Sequence, residues 1–476
     1  MDAACGLHYM SKQANFLALY HLSSNVYSFN LSLSQPHLFQ QTLREREIRM
    51  TDNSENQTCS AEMVASNQDL LTEILLRLPV KSVFKSKCVS KRWVSLISDP
   101  QFAVKHIRLH VNLGPSGLYF YGSPFGFLNF DKDQNMLKVP SLSFLNASGI
   151  EILQSCNGLL LLLCRFSSAE NNSGFTYCVC NPSTKSFGTV PLPNATANRS
   201  MAGINLAFDP PKSTHYKVIC VLMNNLQDPI PNDNNLLHGE EGLNDIEHFV
   251  SPTYQIEIFS SETKAWTLSG GPFEAPHYTD FEHGVFWNGA IHWLSPTDVS
   301  LYFDVDSESL KTMTMPRMQT GPTGFWSSQR FPYFGECRGH LHLIEVDSIS
   351  TPRFRVFEMK PDYSRWFVKY RVNLNNVASK FPEIARRYID EFPNLAQNSP
   401  EDFQVQYYAY SILGVIRGEV EEDVELVLLL PGKIISHNPR LNTSKLLSSW
   451  RANNVYDCMQ YKWYHVCHYV ESLAGV

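Results

Sequence analysis

Four residues near the C-terminus, Cys458, His465, Cys467 and His468, are of the types that hold zinc. Their spacing matches no usual ligand pattern, and Tyr and Trp interleave them. They read as ordinary Cys and His of a strand or terminal helix. Cys178 and Cys180 fall on one face of a strand and suit core thiols better than a redox pair. His292, next to Trp293, and His340 with His342 lie in strand patterns and read as structural. No phosphate-binding G-x-x-x-x-G-K-[ST], no G-x-S-x-G and no H-E-x-x-H occurs. The chemistry-bearing residues thus predict a chain that binds rather than transforms, with no cofactor and no metal.

The elements that position these residues follow from composition and pattern. The chain has 476 residues, of which 43% are apolar, 18% charged and 12% aromatic. That excludes a wholly disordered chain and a coiled coil. Many rings, with 24 Gly and 27 Pro, favour short strands over long helices. The net charge of −7 argues against an electrostatic nucleic-acid binder. Eleven scattered cysteines without a C-x-x-C fit a reducing compartment. No apolar run reaches the roughly 18 residues of a membrane helix, and no secretory signal is read, so neither nucleic acid nor membrane is an expected partner.

Residues 1–64, rich in Ser, Asn and Gln, are expected to form a disordered leader. From residue 65 to 108 the pattern turns helical. Leu70, Leu71, Ile74, Leu75 and Leu78 make one apolar stripe, and Ser66 with Asp69 offers a capping box. Pro79 ends that helix and opens a second with Val80, Val83, Phe84 and Cys88. Ser90 caps a third with Trp93, Val94, Leu96 and Ile97; Asp99-Pro100 ends it, and one more turn runs to His106. This apolar surface exceeds the needs of so small a core, so another protein should complete it. Eight Lys/Arg against three acids give Ser66–Arg108 a net +5 and leave −12 for the rest. A basic unit with an apolar face suits an acidic protein partner. A DNA-binding three-helix bundle is the competing reading; the Leu-Pro elbow and the apolar surplus count against it.

The runs Asp69-Leu-Leu-Thr-Glu-Ile-Leu-Leu-Arg-Leu-Pro-Val-Lys-Ser-Val83, Lys87-Cys-Val-Ser-Lys-Arg-Trp93 and Leu96-Ile-Ser-Asp-Pro-Gln-Phe102 closely resemble a plant F-box, in order and in spacing. Ser66-Asn67-Gln68 stands where that family usually has Leu-Pro or Ile-Pro. The resemblance implies docking on a Skp-type adaptor, through Leu70, Leu71, Ile74, Leu75, Leu78, Pro79, Val80, Cys88, Val89, Trp93 and Ile97. About half of these should pack internally. Leu78 and Pro79 are the foremost interface residues, because a helix-ending elbow should expose both.

From residue 109 to 476 short alternating runs dominate, such as Tyr177-Cys-Val-Cys180 and Tyr254-Gln-Ile-Glu-Ile-Phe259. A strand, polar turn and ring recur at Val179–Phe187, Ile258–Trp266, Phe303–Leu310 and Val356–Trp366. Asn157-Gly158, Asn288-Gly289 and Arg338-Gly339 precede apolar strands. Units of roughly 40–50 residues are those of propeller blades. Ser155-Cys-Asn-Gly-Leu159, Asn181-Pro-Ser-Thr-Lys185, Phe208-Asp-Pro210, Tyr216-Lys-Val218, Trp287-Asn-Gly289 with His292-Trp293, and Phe303-Asp304 resemble the F-box-associated domain, itself similar to Kelch-type propellers. Some propellers house a copper radical site, but no feature here isolates one. Residues 224–252 read as a long loop, either a recognition element or a disordered insertion. Glu419–Glu425, an acidic run between two strands, reads as a solvated hairpin tip, with a contact to a basic partner as the alternative. The blade count stays open.

The expected fold is multidomain, α + all-β: a short three-helix F-box, then a large β-propeller-like domain. The resemblance implies the substrate receptor of an SCF-type (Skp-cullin-F-box) ubiquitin ligase, non-catalytic, holding adaptor, cullin and an unidentified target, in the nucleus or cytoplasm. A non-ligase F-box/propeller scaffold is the alternative.

Overall fold

The computed structural model describes residues 66–110, 114–120, 126–130, 142–166, 174–193, 199–224, 252–317, 331–346, 348, 350–387, 406–418, 420, 423–449, 459 and 461–476. The expected leader lies outside them, as do 225–251 of the expected loop, Glu419, Glu421 and Glu422 of the acidic run, and Cys458. The chain divides into two compact units, 1–111 and 112–476.

Helices α1 (Gln68–Leu76), α2 (Val80–Ser86), α3 (Lys91–Ile97) and α4 (Pro100–Leu109) build the first unit. The N-cap of α1 is Asn67, not the expected Ser66. Its Oδ1 accepts from the Asp69 and Leu70 N–H groups at 3.0 and 3.2 Å; an Asn amide caps as well as a Ser hydroxyl. Pro79 stands directly before α2, and the Ser90 hydroxyl accepts from the Trp93 N–H at 3.3 Å, both as expected. The helix α4 replaces the expected single turn. Asp99 caps it at 2.8 Å, and Pro100 occupies the first turn, where a missing N–H costs nothing. Leu71, Leu75, Leu78, Val80, Val83, Trp93, Ile97 and Phe102 form the core of this unit.

The second unit is a six-bladed β-propeller. It opens with β1 (Gly117–Phe120) and β2 (Gly126–Asn129). Four-stranded meanders follow: β3 (Gly149–Cys156), β4 (Leu159–Arg165), β5 (Phe175–Asn181) and β6 (Ser186–Val190); then β7 (Arg199–Ala207), β8 (Lys217–Asn224), β9 (Thr253–Ser260) and β10 (Ala265–Glu274). The next are β11 (Asp280–Trp287), β12 (Ala290–Leu294), β13 (Val299–Asp304) and β14 (Ser309–Thr314), and β15 (Tyr333–Cys337), β16 (His340–Val346), β17 (Arg353–Met359) and β18 (Trp366–Asn373). A short helix α5 (Asn375–Lys380) and the pair β19 (Ala385–Arg387) and β20 (Gln406–Tyr408) precede the last meander. That meander is β21 (Ser411–Arg417), β22 (Val424–Leu430), β23 (Lys433–Asn438) and β24 (Thr443–Ser449). The final strand, β25 (Val466–Tyr469), returns to β1 with Gly117 opposite Tyr469 and Phe120 opposite Val466. It completes the first blade from inside and closes the ring, so strands from both ends of the unit share one sheet.

Turn chemistry sets the strand order. Asn157-Gly158, Asn288-Gly289 and Arg338-Gly339 have positive φ at both residues, the geometry of two-residue hairpins between the first two strands of a blade. The recurring polar turn closes the third strand on the fourth. Asn181 Oδ1 accepts from the Ser183 N–H at 2.8 Å, and Lys185, at φ 58°, returns its N–H to the Asn181 carbonyl at 2.9 Å. The last meander repeats it with Asn438 Oδ1 on the Arg440 and Leu441 N–H groups and Asn442 at φ 52°.

Blades pack through apolar inner faces. A Cβ at Gly203 on β7 would overlap the Phe281 carbonyl of β11, which is why a residue without a side chain stands there. Trp293 donates Nε1–H to Asn205 Oδ1 at 2.6 Å across the same joint. Between the next blades His292, fully buried, donates Nδ1–H to the Val285 carbonyl and accepts from the Tyr363 hydroxyl at 3.0 Å. Its ring stacks with Tyr302 and Tyr363. The structural reading of this histidine holds.

Candidate functional site

On the helical unit the structure separates the sequence-derived contact residues. Leu71, Leu75, Leu78, Val80, Trp93 and Ile97 are buried in the unit's own core. Leu70, Pro79 and Cys88 are exposed, and Ile74 and Val89 are half-buried. Leu78 therefore corrects the expectation. It is 3% exposed, and only Pro79 of the elbow pair faces outward. The reason is α4. His106 Nε2 lies 2.8 Å from the Leu78 carbonyl and His110 Nε2 lies 2.9 Å from that of Leu76. Only an N–H can face a carbonyl, so both rings carry the proton on Nε2. They satisfy carbonyls that the end of α1 leaves without helical partners, and they pin Leu78 inward.

Sequence reasoning missed both histidines, because it ended the helix before their i, i+4 spacing could be read. It also left out Val94 and Leu109, which are 41% and 60% exposed. Burial lowers the His106 pKa to about 4, against the Leu78 carbonyl, which favours its proton. Leu70, Pro79, Val94 and Leu109 are exposed on this unit, and so are Lys81, Lys85 and Lys91. Exposed apolar and cationic side chains on one small unit suit an acidic protein surface.

In the propeller the inner strands β3, β11, β15 and β25 surround a solvent-open cavity of about 120 Å³. Gln154 is spent on backbone: its Oε1 accepts from the Leu206 N–H at 2.6 Å. Asn157 donates to the Phe208 carbonyl at 2.7 Å. His283 is held by Asp280, with Nδ1 at 2.8 Å from the carboxylate, and stacks on Tyr464 with centroids 3.7 Å apart. Glu336 accepts from the Gly339 N–H at 2.6 Å; burial pushes its carboxyl up to about 7, against that bond and the nearby His340. Burial holds His468 down at about 4.

Of the C-terminal cluster, His465, Cys467 and His468 fall among the described residues. Cys467 is buried in the apolar core beside Tyr119, and its neighbour on β25, His468, lines the cavity. No group of three or more metal-ligating side chains stands together among the described residues. Cys178 and Cys180 are buried core thiols, as expected. His340 and His342 flank Glu358. Burial raises that carboxyl, but the His340 hydrogen bond at 3.0 Å and the charges of His342, His340 and Lys369 hold it down at about 2. Arg417 of the next blade completes this buried joint at 2.9 Å.

The fold defines a class: a small helical unit followed by a six-bladed β-propeller. Comparison with known proteins makes this specific. Residues 67–105 match the F-box domain, and residues 127–336 match the F-box associated beta propeller domain. The chain is 30% identical to the F-box protein At5g07610 of Arabidopsis thaliana over 91% of this chain and 98% of that protein. It is 29% identical to F-box only protein 8 of the same plant, over 52% of this chain and 80% of that one. Among solved structures it is similar to an oligogalacturonate lyase in complex with manganese, at TM-score 0.31 and 10% identity, covering 71% of this chain and 77% of that one; a likeness at this level bears on nothing further. The chain belongs to the F-box proteins that carry an F-box-associated β-propeller. F-box domains generally bind Skp-type adaptors, and F-box proteins are generally non-catalytic.

Proposed function

We propose that this chain is the substrate-recognition subunit of an SCF-type ubiquitin ligase. The F-box docks a Skp-type adaptor and through it a cullin, and the propeller holds a target protein. The receptor makes no bond itself and needs no cofactor. It raises the target's effective concentration beside the ubiquitin-charged enzyme. Its place of work is the nucleus or the cytoplasm, with neither nucleic acid nor membrane as partner. The observation that carries this reading is that Leu70, Pro79, Val94 and Leu109 stay exposed on a unit whose own core is already filled. Of the expected contacts, Leu70, Pro79 and Cys88, with Ile74 and Val89 beside them, touch the adaptor; the buried six shape the surface.

The test is capture of a Skp-type adaptor and a cullin by the full chain. Leu70→Glu with Pro79→Ala should weaken adaptor capture about tenfold or more while the helices stay folded. Leu78→Asp should lose capture by unfolding the unit, since it buries a charge in the core. A folded wild-type chain that captures no adaptor defeats the proposal. Adaptor without cullin would favour the non-ligase scaffold.

A further inference from the structure

The propeller cavity contains a carboxylate whose second oxygen has no partner among the described residues. Glu336 uses one oxygen on the Gly339 N–H, and no cation stands against the other among the described residues. The adjacent Arg338 is turned away, its NH1 at 3.4 Å from the Arg417 carbonyl. Across the cavity stands His283, its Nδ1–H held by Asp280. His468 enters from β25 with no hydrogen bond to its ring among the described residues. Trp463 and Tyr464 form part of the wall, flat surfaces against which an aliphatic stem and a cation both pack well. Glu336 is the one carboxylate among the residues that line the cavity, and the one lining Arg or Lys, Arg338, reaches toward the Arg417 carbonyl.

We propose that this cavity binds the ammonium or guanidinium end of an aliphatic chain, as a free amine or as a Lys or Arg side chain of a bound protein, with Glu336 as its counter-ion. The inference rests on the propeller alone and is independent of adaptor docking. It can fail while the ligase reading stands, and the reverse.

Binding must ionise Glu336, so it should release a proton near neutrality and tighten with pH. The other titratable groups around Glu336 are Cys156 on β3, Tyr333 and Cys337 on its own strand, and His340, with Arg338 beside it, His468 on β25 and His283 on β11. Burial keeps the two thiols and the phenol protonated through this range and His468 neutral. With its value at about 7, Glu336 gives about tenfold weaker binding at pH 6 than at pH 8.

Titration calorimetry on the purified full chain would use N-acetyl-lysinamide, N-acetyl-argininamide and n-butylamine, with N-acetyl-norleucinamide and acetate as controls. We expect the cationic probes to bind and the controls to fail. Butylamine as tight as the capped residues identifies a free amine; capped residues alone identify a protein side chain. Glu336→Gln keeps an acceptor for the Gly339 N–H and should stay folded, yet lose at least tenfold in binding together with the pH dependence. Proton release by the wild-type chain, read from buffers of different ionisation enthalpy, tests the same point without a variant. Failure of all cationic probes overturns the proposal. So does acetate binding in their place, or a folded Glu336→Gln chain that binds unchanged.

Discussion

Removing the imidazole of His106 would leave the Leu78 carbonyl buried without a donor. His106→Ala should therefore destabilise the helical unit by about 1–3 kcal/mol. Its pH dependence has a definite sign. The folded value, about 4, lies below the ordinary 6.5, so the native unit favours the neutral ring. Stability is full above 6.5, falls as the pH drops below it, and stops falling below about 4. The neighbouring His110 ring, 4.3 Å away, adds repulsion when charged. Hydrogen exchange in peptides spanning residues 68–109 of the full chain, at pH 7 and pH 4.5, checks this. Protection that does not fall at pH 4.5, or that falls equally in His106→Ala, would remove His106 as the cause. At this scale the sequence was partly legible. Asn67 and Ser66 are equivalent cappers by type, so only the chain's path decides between them. The inward turn of Leu78 depends on a histidine 28 positions later, which no local pattern carries.

Among the elements, the turns were the most legible part of the propeller, because each is a local contract between a polar side chain and its own backbone. Asn181-Pro-Ser-Thr-Lys185 announces itself by residue type. The last instance, Asn438-Pro-Arg-Leu-Asn442, keeps the Asn-Pro opening but ends on Asn rather than Lys and passed unread. What local chemistry does not announce is the second task of Asn181. Fully buried, it donates Nδ2–H to the carbonyls of Ser472 and Ala474 at 3.0 and 2.8 Å, and so holds the C-terminal tail under its blade. Asn181→Ala breaks these bonds and the turn's own cap together. It should cost about 2–4 kcal/mol and free the tail. Limited proteolysis would show the last residues cut in the variant well before the wild-type chain. Equal protection in both would mean that Leu473 and Ala474, buried by packing, hold the tail without it.

For the whole molecule the decisive link is β25. Each blade buries only its faces against its neighbours, and the inner strands touch in sequence around the ring: β3 with β7, β7 with β11, β11 with β15, β15 with β21, and β25 with β3. The fourfold meanders are local in sequence, which is why repeating strands could be read as blades. The join of residues 117–120 to 466–469 spans the whole unit, and the last hundred residues resemble the family only diffusely, so neither the closure nor the count of six could be read. Energetically, β25 places Val466, Cys467 and Tyr469 in the core and gives β1 its inner partner. Without it, β1 and β2 are a two-stranded hairpin, marginal by itself in water, and the inner edge beside β3 is exposed. A chain ending at residue 465 should therefore lose far more than one strand's worth of stability. We expect its calorimetric transition to begin at markedly lower temperature and to broaden, because an open arc of blades can fray from both ends while a ring cannot. Asn181→Ala, which releases the tail but keeps β25, should shift the transition without broadening it. If the truncated chain melted as sharply as Asn181→Ala, the five complete blades would be cooperative on their own, and closure would not be what holds the molecule together.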